Sequence, residues 1–158
     1  MRKKVICLVL VMMLMLGIMG STALASGHRP KSVISTNVVF DIYRIINVQY
    51  ERVISSNMSL YAVPYLGLGF GVTTMGIQAG GKYYLQGTAP EGLWIGGFGM
   101  VTYASIPGAS IASFAVAGNA GYKLFLSSIL TVEANVGYGY AFGSGGSLTW
   151  GANIGLGL

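Results

Sequence analysis

Three ionisable side chains, Glu51, Lys82 and Glu133, stand where the chain alternates between apolar and polar residues, and each falls on the polar phase. Carboxylates and an ammonium group gathered on one interior surface can do two kinds of chemistry. They can pair, so that ion pairs and hydrogen bonds offset the cost of withdrawing charge from water. They can also line a path for protons or small solutes. Asn135, in phase with Glu133, adds an amide to either arrangement. The pairing arrangement, a polar network that fills an interior, is the expectation. Arg52 and Lys123 fall near strand ends, from which long side chains reach a surface.

Other site chemistries find no residues to carry them. Nucleophilic catalysis needs a serine activated by a base, usually histidine. The single histidine, His28, precedes every expected strand, and Glu133 alone completes no Ser–His–acid set, so an enzyme is not expected. One histidine and four scattered acids give no metal-binding spacing. "GLGFG" and "GGFG" lack the strand–loop–helix context of a nucleotide loop, and no GxxxxGK[ST] occurs. No cofactor is expected.

The elements that would position these residues are β-strands. From Leu148 to Leu158 every second residue is apolar (Leu148, Trp150, Ala152, Ile154, Leu156, Leu158), which makes a two-faced strand. Similar alternation predicts seven more strands, over about residues 33–42, 45–54, 59–72, 76–86, 93–104, 111–124 and 129–142. Tight turns are expected at 55–58, 87–92 and 125–128, and short loops at 43–44, 73–74, 105–110 and 143–146. The glycine-rich pieces read as small interior residues that ease curvature.

Charge decides which face is the inside. Residues 1–25 read as a cleaved signal peptide: Arg2, Lys3 and Lys4, an apolar run, then Ala23-Leu24-Ala25. Cys7 leaves with it, so no disulfide is available to the mature chain. The formal charge of +5 falls to +2 without those three cations, and no basic cluster remains for nucleic acid. Charged residues are 8% of the chain, whereas a water-facing surface is about 25–35% charged. The large apolar face therefore points outward, onto lipid, and the small polar face lines a narrow lumen. Residues 26–32 form a short N-terminal segment and 33–158 the barrel. The fold class is all-β, an eight-stranded antiparallel up-and-down transmembrane β-barrel. Tyr43, Tyr83, Trp94, Tyr103, Tyr122, Tyr140 and Trp150 fall near strand ends and are expected at the lipid headgroups.

The mature chain resembles the small eight-stranded bacterial outer-membrane barrels, the class of the OmpA membrane domain, OmpX and OmpW. The stretches "NVQYERVISSNMSL" and "GYKLFLSSILTVEANVGYGY", in which a strand ends at a tight turn and the next begins, carry the resemblance. It implies export through the inner membrane, partnership with outer-membrane lipid and the outer-membrane insertion machinery, and turns 55–58, 87–92 and 125–128 on the periplasmic side. The expected polar network of Glu51, Lys82 and Glu133 points to a structural scaffold with a largely filled lumen. Alternatives are a narrow channel or carrier for small apolar or amphipathic solutes, and a soluble periplasmic lipid-binding barrel. Two features depart from the class: the chain ends in Leu158 where an aromatic residue is usual, and the expected external loops are very short.

Overall fold

The computed structural model describes residues 30–69, 72–85 and 88–158; the expected signal peptide and His28 lie outside them. β1 (Ser32–Asn37) leads into a five-residue helix, α1 (Val38–Ile42). There follow β2 (Ile45–Asn47), β3 (Gln49–Ser55), β4 (Met58–Gly69), β5 (Val72–Tyr84), β6 (Gly92–Ile106), β7 (Ala109–Phe125), β8 (Leu130–Ala141) and β9 (Gly145–Gly157). All pairings are antiparallel. β9 returns to pair with β1, and β4 joins β3 to β5, so the sheet closes on itself. β2 and β3 run against β4 in one continuous register and form a single barrel strand, which makes eight.

Why that strand is divided at Val48 is clear from its partner. The register Asn47↔Tyr65 and Tyr50↔Ala62 sets Val48 opposite Pro64. The Val48 N–H donates to the Pro64 carbonyl at 3.3 Å, but proline has no N–H to return the bond.

The expected first strand, 33–42, stops early. Its continuation is replaced by α1, because Asn37 makes a better helix cap than strand residue. The Asn37 side-chain oxygen accepts from Val39 N at 3.0 Å and Phe40 N at 3.3 Å. Asn47 from β2 then serves the Asn37 backbone, its Oδ1 accepting from Asn37 N at 2.8 Å and its Nδ2 donating to Asn37 O at 3.2 Å. Asp41 steadies the same turn, accepting from Thr36 Oγ1 at 3.2 Å and Asn47 Nδ2 at 3.3 Å. α1 packs against β2 and β9 at that rim.

Connections at the same rim are tighter than expected. Thr73 and Thr74, expected in a loop, lie within β5 opposite Leu68 and Gly67. The expected loop 105–110 shrinks to Pro107-Gly108, since Ser105 pairs with Ser110 and Ile106 with Ala109. Proline's fixed φ followed by glycine at φ +86° is the signature of a type II turn. The opposite rim carries both ends of the barrel, with Leu158 N donating to Ser32 O at 2.8 Å.

Large side chains dominate the outside. Leu60, Leu66, Leu68, Ile77, Val101, Phe114, Val136, Leu148 and Leu156 are all exposed. Among the described residues, Arg52 is the one charged side chain on the outward phase of a barrel strand, and it stands near the β3–β4 turn. β4 and β6 depart from large-outside, small-inside, β4 by turning Tyr61 and Val63 inward. β6 turns Trp94, Phe98 and Met100 inward, where they line the lumen, and leaves Gly97 and Gly99 on the outer phase.

Candidate functional site: a charged cluster under a lumenal cavity

β3, β5, β7 and β8 each deliver one charged side chain to a common level near the rim that holds the termini. Glu51, Lys82, Lys123 and Glu133 are 0%, 2%, 1% and 5% exposed. Lys82 Nζ lies 2.9 Å from Glu51 Oε2 and 2.6 Å from Glu133 Oε2. Lys123 Nζ lies 2.9 Å from Glu133 Oε2 and also bonds Glu51 Oε2. Each ammonium thus touches both carboxylates, and the four charges sum to zero.

The remaining carboxylate lone pairs are also used. Glu51 Oε1 accepts from Ser59 Oγ at 2.6 Å and from the Tyr84 hydroxyl at 2.7 Å. Gln49 Nε2 donates to Glu51 Oε2 at 3.3 Å, and Asn153 Nδ2 to Glu133 Oε1 at 3.1 Å. The Lys82 ammonium sits 4.7 Å from the Trp94 ring centroid and 5.2 Å from that of Tyr61. A buried ion pair is tolerable when its geometry is good and its spare donors and acceptors are satisfied. This cluster meets both conditions, with two ammonium groups against two carboxylates.

Glu51, Lys82 and Glu133 are therefore brought together. Asn135 is not part of the cluster; it borders the cavity above it and approaches Gly151. Lys123, expected to reach an interface, instead completes the cluster. Its phase was legible, since Asn119, Gly121 and Lys123 alternate along β7. So was the need for it: two glutamates and one lysine leave one negative charge unmatched.

Trp94 requires a correction too. Expected on the outer surface at the headgroups, it is 1% exposed and packs inside the lumen. Gly121 of β7 lies directly opposite. A Cβ there would stand 2.6 Å from Trp94 Cζ2 and 2.5 Å from Ala134 O, so only glycine leaves room for the indole. Tyr83, Tyr103, Tyr122, Tyr140 and Trp150 are exposed on the outward phase of their strands, whereas Tyr43, the exposed C-cap of α1, borders the lumenal cavity. Tyr83 is the penultimate residue of β5, whereas Trp150, opposite Val136, lies well inside β9.

Between the cluster and α1 lies a cavity of about 360 Å³, walled by residues of α1 and of barrel strands on every side. Among the described residues no group of three or more His, Cys, Asp or Glu side chains is placed to hold a metal ion.

Comparison with known proteins agrees at the level of the fold. The chain is similar in structure to the N-terminal β-barrel domain of Pseudomonas aeruginosa OprF, with a TM-score of 0.59 at 13% identity, over 83% of this chain and 100% of that one. No family model matches the sequence, and no curated protein does. The chain therefore shares with that domain the architecture of a small closed eight-stranded antiparallel β-barrel.

Proposed function

We propose that this protein is an integral barrel of a bacterial outer membrane, with a structural role and a lumen closed by the Glu51–Lys82–Lys123–Glu133 cluster. The observation that carries this is the division of polarity. The outward phase is a nearly uncharged band of Leu, Ile, Val and aromatic side chains, while four charges are buried inside. In water that surface would aggregate; in hydrocarbon it needs no compensation, and closure satisfies the backbone. Lipid is the principal partner, and the alternating apolar residues that lead to Leu158 are the segment offered to the insertion machinery. A soluble lipid-binding barrel would need the opposite polarity, with its large apolar residues inside. The cluster argues against an open channel.

Electrophoresis of unboiled and boiled samples from isolated outer membranes tests the proposal. A mobility shift on boiling, with release only by detergent, is expected. Recovery in the soluble periplasm without a shift would overturn it.

A further inference from the structure

We propose that the cavity between α1 and the charged cluster binds a small neutral amphipath, a molecule with a hydroxyl-like head and an apolar tail. The membrane reading bears on this only through which compartment supplies the ligand. A cavity of about 360 Å³ falls in the size range of small-molecule sites, about 300–1,000 Å³. Its chemistry changes along β6 and β7, and the register shows how.

The lower wall is polar. Asn119 of β7 and Thr149 of β9 flank Gly137 of β8 at one level, Asn119↔Gly137↔Thr149. Gly137 keeps them apart with nothing between: a Cβ there would come within 2.7 Å of Asn119 Cβ. Trp94 of β6 lies one lumen-facing position below Gly96, which pairs with Asn119, and its indole stands against Gly121. All three residues line the cavity, and Trp94 Nε1, Asn119 Oδ1 and Thr149 Oγ1 are buried atoms with no hydrogen-bond partner in the protein. One is a donor, one an acceptor, and the hydroxyl is either. Burying such groups unpaired is costly, so a ligand that pairs them gains affinity.

Toward α1 the wall formed by β6 and β7 is apolar. Phe98 pairs with Ala117 and Met100 with Ala115, all four forming an apolar wall that Val39 and Phe40 of α1 border. Gln78, Ser147, Asn37 and Asn47 keep other parts of the lining polar. Neutrality follows from the cluster. The charged residues of the wall, Lys82 and Glu133, are already paired with each other and with Glu51 and Lys123. An ionic ligand would find no free counter-charge, whereas a hydroxyl head would pair with unpartnered groups among Trp94, Asn119 and Thr149, with its tail along Phe98, Met100, Ala115 and Ala117.

The test uses the mature barrel in detergent with Trp150→Phe, which leaves Trp94 as the remaining tryptophan of the two. The probes are bromooctanol, whose bromine quenches indole fluorescence, and bromooctane, which lacks the head. Saturable quenching of Trp94 by bromooctanol, with bromooctane weaker by about fivefold to tenfold, is expected from the loss of one or two hydrogen bonds. Ala117→Phe, which fills the apolar level, should abolish saturation, and Asn119→Leu should remove the preference for the alcohol. Quenching that rises linearly for both probes and is unchanged by Ala117→Phe would overturn the proposal, since it reports partition into detergent alone. Each variant is first checked for heat-modifiable mobility. Loss of that shift in the parent protein counts against the barrel reading, and a normal shift without saturation counts against the cavity inference.

Discussion

Lys82→Met is the perturbation most directly tied to the cluster's geometry. The Lys82 ammonium lies 2.9 Å from Glu51 and 2.6 Å from Glu133, and no member of the cluster is more than 5% exposed. Methionine keeps most of the stem against Trp94 and Tyr61 and removes only the charge. Two carboxylates then share Lys123, with one negative charge unmatched among side chains that are almost fully buried. At an effective dielectric of about 20, unit charges about 4 Å apart attract by about 4 kcal/mol. Desolvation offsets much of that in the intact cluster, but removing one partner leaves the desolvation cost standing, and such deletions destabilise by about 3–5 kcal/mol. Lys82→Met/Glu133→Gln restores neutrality and leaves Glu51 paired with Lys123. The double variant should therefore be more stable than the sum of the two single losses predicts, by about 2 kcal/mol. Urea unfolding of the barrel in lipid vesicles, with the folded fraction read from the mobility of unboiled samples, measures all four corners of the cycle. A loss below about 1 kcal/mol for Lys82→Met, with additive losses in the double variant, would refute the reasoning. That is how a hydrated surface pair behaves.

Other positions test the remaining parts. Ile77→Arg places a cation on the outer face in mid-strand; in lipid it should cost about 2–4 kcal/mol by the same urea assay, whereas a water-facing site would tolerate it. Asn37→Ala removes both cap hydrogen bonds of α1, so amide exchange across residues 38–42 should accelerate, consistent with a loss of about 1 kcal/mol. Gly121→Ala forces a methyl group against the Trp94 ring and the Ala134 carbonyl; a destabilisation of about 1–3 kcal/mol is expected. In a Trp150→Phe background, the Trp94 emission should shift as the indole moves.

Much of the architecture was legible because strand patterning is local. A side-chain period of two reads off a single segment, and scarcity of charge reads off composition, so the eight strands, their order and the outward apolar face followed from residues such as Leu148, Trp150 and Ile154. Where that logic failed, the controlling contact came from another strand. Strand one ends at Asn37 because Asn47, ten residues on, takes over its backbone hydrogen bonds. Strand two is divided at Val48 because the residue across the ladder is Pro64.

The site separates the two levels more sharply. Sequence alone determined that Glu51, Lys82 and Glu133 share the polar phase, since phase is a property of each strand by itself. Only the closed barrel decided that Lys123 joins them and that Trp94 lies inside, over Lys82 and opposite Gly121. Those placements depend on the register between strands, which sets the level each residue occupies in the lumen and which of its neighbours leave space for it.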